Sequence, residues 1–152
     1  MSSSKTKKAL SNGYSLVELV IAIACATILL IVAVPNIVQL QKEWSLWGGA
    51  RILETSLQWG RMQAVASNSP VIFEIDDIRQ EFCWVDAGSG GRFAESVRHL
   101  PIGIRFVAAP RRSLRFYQHG NAVPAGTYTI AGDAGSYSVV VSPGGRIRLQ
   151  RN

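Results

Sequence analysis

Hydrophobic and polar positions change their period twice along the chain. From Tyr14 to Val34 nearly every position is apolar, a run of twenty-one residues with Glu18 as its single charge. As a helix rising about 1.5 Å per residue, the run covers about 31 Å, close to the roughly 30 Å hydrocarbon core of a bilayer. It predicts a membrane-crossing helix over residues 14–35. Beyond Pro35, apolar residues recur at spacings of three and four. Ile37, Leu40, Trp44 and Trp47 form one stripe, and Leu46, Ala50, Leu53, Leu57 and Ala64 form a second, rotated one. The helix is therefore expected to continue to about Ala66, kinked at Pro35 and loosened at Gly48-Gly49. Ser67-Asn68-Ser69-Pro70 stops it, because Ser and Asn favour local turn bonding and proline disfavours helix in the residue before it.

After Pro70 the period becomes two. Val71, Phe73 and Ile75 alternate with Ile72, Glu74 and Asp76, and Phe82 and Trp84 alternate with Cys83 and Val85. These are two strands joined by a turn at Asp77–Gln80. Gly88-Ser89-Gly90-Gly91 reads as a loop. Further strands are expected at Ile104–Ala108, Leu114–Gln118, Thr127–Ile130, Tyr137–Ser142 and Arg146–Gln150, each bounded by Gly, Pro, Asn or Asp. One long helix followed by strands predicts an α+β fold with the helix laid on antiparallel sheets. Trp44, Trp47, Trp59 and Trp84 are expected to pack between helix and sheet, and Cys25 and Cys83 to be small buried apolar residues.

Charge refines this picture. The formal +6 of the 152-residue chain includes Lys5, Lys7 and Lys8 at its start, where there is no acid. Those lysines beside the apolar run place residues 1–13 in the cytoplasm by the positive-inside rule, and residues 36–152 across the membrane. Without residues 1–13 the net charge is +3, distributed unevenly. Residues 36–91 carry four basic and seven acidic side chains, whereas residues 92–152 carry nine arginines against Glu95 and Asp133. The second half is thus an arginine-only basic surface.

The basic start ends in Ser11-Asn12-Gly13, a small polar break before the apolar run, whereas a secretory signal is cut after its apolar region. A cut at Gly13 would leave the helix on the mature protein. Gly13, Tyr14, Leu16, Val17, Glu18, Leu19, the apolar run and Pro35 together resemble the class III signal of type IV pilins and type II secretion pseudopilins. The resemblance implies cleavage by a prepilin peptidase between Gly13 and Tyr14 and methylation of the new Tyr14 amine. It also implies a filament-assembly role for Glu18, which would meet the N-terminal amine of a neighbouring subunit. Most members have Phe where this chain has Tyr14.

The C-terminal half is similar to one branch of this family, the type II secretion minor pseudopilin H and fimbrial minor pilin T proteins (GspH/FimT). The matching segments are Gly60-Arg61-Met62-Gln63-Ala64-Val65 before Asn68-Ser69-Pro70-Val71, then Leu114-Arg115-Phe116-Tyr117-Gln118-His119-Gly120, and the ending from Val139 through Gly144-Gly145-Arg146 to Leu149. The resemblance implies a pilin-like fold and a minor pseudopilin of a type II secretion system in the bacterial inner membrane, its C-terminal domain in the periplasm. Its partners would be other minor and major pseudopilins or pilins and, through a filament tip, secreted substrates. The fimbrial branch offers an alternative, a minor pilin that captures DNA for natural transformation. In an extended chain Arg146 and Arg148 share a face opposite Ile147 and Leu149. Joined by Arg151, Arg111, Arg112 and Arg115, they could grip phosphates, or they could simply be the wet face of a last strand.

No catalytic constellation stands out. His99 and His119 have no acid or nucleophile at motif spacing, no metal-ligand spacing occurs, and Asp76-Asp77 reads as a turn pair. The chain reads as a structural protein without cofactor or metal.

Overall fold

The computed structural model describes residues 15–152, and the side chains of all of these except 32–36. Its elements are one long helix, α1 (Leu16–Ala66), and nine strands. The strands are β1 (Val71–Asp76), β2 (Glu81–Asp86), β3 (Arg98–His99), β4 (Arg105–Ala108), β5 (Arg115–Phe116), β6 (Ala122–Val123), β7 (Gly126–Gly132), β8 (Gly135–Val141) and β9 (Ile147–Arg151). A short 3-10 turn at Ala94–Ser96 precedes β3. The chain divides into two units, Met1–Val38 and Gln39–Asn152.

In the first unit, the described side chains of α1 run from Leu16 to Ile31 and resume at Ile37 and Val38, and the large apolar ones are exposed. Among the described residues no helix is long and apolar enough to cross a membrane. Leu16–Ile31 is about 24 Å of helix, and the run read from the sequence extends beyond it at both ends.

The second unit is the expected α+β arrangement. One antiparallel sheet has the order β3-β2-β1-β5-β6 and the other the order β4-β7-β8-β9. The stripe Leu46, Ala50, Leu53, Leu57 and Ala64 is buried against them, together with Phe73, Trp84, Phe116, Tyr128 and Ile130. The spacing of four, three, four and seven keeps these side chains on one face of the helix.

Glycine sets how closely the sheets approach. A Cβ at Gly49 would meet Pro101, Ile104 and Ile130 at 3.2–3.5 Å, and one at Gly60 would run into the Trp84 ring. Helix α1 continues through Gly48-Gly49 without the expected loosening, and of the pair only Gly49 is a close contact. Trp84 is fully buried, and its indole N–H donates to the carbonyl and hydroxyl of Ser56 at 3.0 and 3.2 Å. Gly60→Ala should therefore cost about 1–3 kcal/mol through overpacking. Gly48→Ala, with open space around it, should add about 0.5–1 kcal/mol through helix propensity. Thermal unfolding of the two variants checks the contrast.

Several expectations need correction. Trp44 and Trp47 do not pack between helix and sheet; they are 70% and 50% exposed, and Ile37 and Leu40 on the same stripe are exposed too, because burial of the helix begins at Leu46 and Trp47 lies about 100° around the helix from the buried face. Trp59 is half-buried against Phe93, with ring centroids 5.7 Å apart. Cys25 is exposed along the first unit's helix, whereas Cys83 is buried. β2 does not alternate: Phe82, Cys83, Trp84 and Val85 are all buried, since Arg92 and Ser113 line the recess over Cys83 and Val85 bridges to Arg92. Of the expected Leu114–Gln118 strand, Arg115–Phe116 forms β5 and the Leu114 carbonyl accepts from the Phe73 N–H of β1, whereas Tyr117–Gly120 turns back toward β6.

Candidate functional site

The sequence nominates three places: the N-terminal signal, the arginine surface and the motif segments of the C-terminal half. Gly13 and Tyr14 lie outside the described residues. Glu18 sits in the first turn of α1, where a carboxylate complements the positive end of the helix dipole. It is exposed, and so are its neighbours Leu16, Val17, Leu19 and Val20.

The arginines do not form one cluster. Arg146 precedes β9, the edge strand of the second sheet, and Arg148 lies on it paired with Val140; both are exposed. Arg111 and Arg112 are exposed on the segment leading to β5, just after Pro110, which packs against Gly126 at the start of β7. Gly126 pairs with Val141, and Val141 with Ile147, so this segment and Arg146 share one end of the sheet, two strands apart. Arg115 is half-buried on the first sheet, paired with Ile72 and Val123. Arg151 is opposite Tyr137 at the other end of β9, and alternation puts it on the face of Ile147 and Leu149. There it borders a groove of about 440 Å³ with Glu43, Trp44, Trp47, Ala134 and Tyr137. None of these six arginines forms an ion pair among the described residues.

The three motif segments, by contrast, meet at one place. Arg61 Nε donates to the Gly120 carbonyl at 3.1 Å, and the Ala122 N–H donates to the Pro143 carbonyl at 2.9 Å. Gly120 and Gly145 both have left-handed backbones, with φ of 76° and 75°. A Cβ at Gly145 would collide with the Gly120 carbonyl. The helix end, the β5–β6 turn and the β8–β9 turn are thus locked together across both sheets. Arg61 was not legible as a member of this lock, because its partner is a backbone oxygen fifty-nine residues away.

Among the described residues the two histidines are not brought together. His99 and His119 lie toward opposite edges of the first sheet: His99 Nδ1 on β3 is 3.7 Å from Glu81, and His119 is exposed in the β5–β6 turn. Burial pushes the Cys83 thiol above its ordinary range, with the Arg92 charge acting against it, so Cys83 is a poor thiolate source. Asp76 Oδ1 accepts the Ile78 and Arg79 N–H groups at 3.0 and 3.1 Å, the turn role expected of it. Among the described residues no group of three or more His, Cys, Asp or Glu side chains could hold a metal ion.

This architecture, a long helix laid against two antiparallel sheets, defines the class as pilin-like. The minor pseudopilin EpsH from the type 2 secretion system of Vibrio cholerae superposes with a TM-score of 0.59 at 16% identity, covering 70% of this chain and 97% of that one. The type IV minor pilin FimU of Pseudomonas aeruginosa superposes with a TM-score of 0.60 at 21% identity, covering 73% and 92%. At these identities the likeness is one of fold. A comparison with curated proteins finds no match. The sequence matches the family model of the type II transport protein GspH over residues 49–145, and the chain belongs to that family.

Proposed function

We propose that this chain is a minor pseudopilin of a type II secretion system, a structural subunit that helps to assemble the pseudopilus driving protein secretion. The observation that carries the reading is the GspH match across residues 49–145, which includes all three segments of the Arg61–Gly120–Gly145 lock. In this reading prepilin peptidase removes residues 1–13, the Tyr14 amine is methylated, and residues 14–35 hold the subunit in the inner membrane with its folded unit in the periplasm. Assembly transfers the apolar rod from lipid into a bundle with other minor and major pseudopilins. Glu18 then pairs with a neighbour's Tyr14 amine. An acid at a helix centre in lipid costs about 2.5–3.5 kcal/mol by insertion scales, and less near an end, so this transfer is favoured by supplying a partner. The folded units at the filament tip would meet secreted substrates.

The second reading, a type IV minor pilin that takes up DNA, draws support from exposed Arg111, Arg112, Arg146 and Arg148, which have no carboxylate partners among the described residues. Arg115 is less available, and Arg151 points to a different surface. Deletion of the gene separates the two: secreted proteins should accumulate in the periplasm and return to the medium on complementation. Intact secretion with lost DNA uptake would favour the second reading, as would salt-dependent binding of duplex DNA to the fragment Gln39–Asn152 that Arg146→Ala with Arg148→Ala removes.

A further inference from the structure

Strand β9 ends the second sheet, bonded to β8 on one side and open on the other. The Asn152 N–H donates to the Ser136 carbonyl at 3.1 Å, and the Ser142 N–H donates to the Arg146 carbonyl at 2.9 Å, so the even-numbered residues of this stretch bond toward β8. The N–H and C=O groups of Ile147, Leu149 and Arg151 sit at the alternate positions of the antiparallel pair and point away from the sheet. None of them has a hydrogen-bond partner among the described residues. The other sheet edges are blunted: β3 and β6 are two residues each, and β4 carries a register shift between Phe106 and Ala108.

We propose that β9 accepts an added strand from another protein chain, an extended antiparallel segment that alternates apolar and acidic residues. Main-chain bonds along the open edge would supply affinity, and the two faces of β9 set the alternation. On the inner face Ile147 and Leu149 are only half-buried, and Arg151 carries that face into the groove lined by Trp44, Trp47 and Tyr137. Apolar side chains opposite Ile147 and Leu149 would cover them and extend the core beneath the new strand. On the outer face Arg146 and Arg148 are exposed without a carboxylate partner among the described residues, and β7, β8 and β9 contain no acid. Acids of the added strand would supply the missing charge. A second copy fits poorly, since its own residues 146–151 would bring Arg146, Arg148 and Arg151 and no acid to the same surface. Duplex DNA could neutralise the arginines but would leave Ile147, Leu149 and the exposed indoles without apolar cover. Every residue involved lies in the folded unit, so the site is the same in either kind of filament.

The test is residue-resolved amide hydrogen exchange on the full chain in zwitterionic micelles, with a capped peptide of alternating valine and glutamate, slightly longer than β9, as the probe. At saturating peptide the Ile147, Leu149 and Arg151 amides should slow about tenfold or more, while Arg148 and Gln150, already bonded to β8, change little. In an antiparallel pair the peptide's valines bond to β9, so methylating the valine nitrogens should abolish the effect and methylating the glutamate nitrogens should not. Arg146→Glu with Arg148→Glu, both exposed, should transfer the protection to a valine–lysine peptide. Unchanged exchange at the three outward amides would overturn the proposal. Equal slowing by both methylated peptides would overturn it too, as contact without strand pairing. Retained preference of the double variant for glutamate would refute the acidic assignment, and slowing by a short DNA duplex but not by the peptide would give the edge to nucleic acid instead.

Discussion

Replacing Glu18 with Ala should nearly abolish incorporation into the filament, and with it secretion, while the chain remains in the membrane. Opposite charges 4 Å apart attract by about 4 kcal/mol at an effective dielectric of 20, and desolvation removes part of this. Even about 2 kcal/mol retained per contact is roughly a thirtyfold change in an association equilibrium. Ala also makes the rod more apolar, so insertion should be unharmed or improved. Glu18→Gln keeps the size and hydrogen-bonding capacity of the side chain without its charge. If the charge is what matters, it should fail nearly as badly. Crosslinking to the major pseudopilin measures incorporation and carbonate extraction measures insertion. Normal crosslinking of Glu18→Ala would remove the assembly mechanism.

The second large effect concerns the fold. Gly145→Ala places a Cβ against the Gly120 carbonyl at a residue with φ of 75°. The left-handed backbone costs about 1–2 kcal/mol for an L side chain and overpacking about 1–3 more, so a loss of about 2–5 kcal/mol is expected. In a domain of this size that lowers the melting temperature by roughly 10 °C or more. Gly144 has open space around its Cβ position and no left-handed backbone, so Gly144→Ala should stay within about 0.5 kcal/mol. Thermal unfolding of the fragment Gln39–Asn152 compares the pair. Equal melting temperatures would show that the turn yields at little cost, and the lock would lose its importance.

The legible parts of this fold were those written as a period. The core stripe from Leu46 to Ala64 and the β1–β2 hairpin with its Asp77–Gln80 turn follow from residue spacing alone. What could not be read depended on where a neighbour stops or begins. Trp44 and Trp47 keep helical spacing as faithfully as Leu53 and Leu57, but burial against the sheets begins only at Leu46 and takes the other stripe of the helix. β3 and β6 are two residues each, too short to show any period, and are strands only because β2 and β5 pair with them. Among the candidate site residues, Glu18 was legible as an acid inside an apolar run. The division of the arginines was partly legible, since alternation along β9 already separates Arg151 from Arg146 and Arg148. Their placement relative to Arg111, Arg112 and Arg115 needed the strand order. The meaning of the shared glycines was least accessible: Gly120 and Gly145 look like ordinary turn residues until the structure brings their turns into contact.

The account depends most on a subunit that loses its basic start and keeps its apolar rod. Intact-mass measurement of the protein purified from membranes of its own host tests this directly. The predicted mass is that of a chain beginning at Tyr14 with one added methyl group. A mass that retains residues 1–13, or one that has lost everything through Val34, would contradict the reading of this protein as a filament subunit.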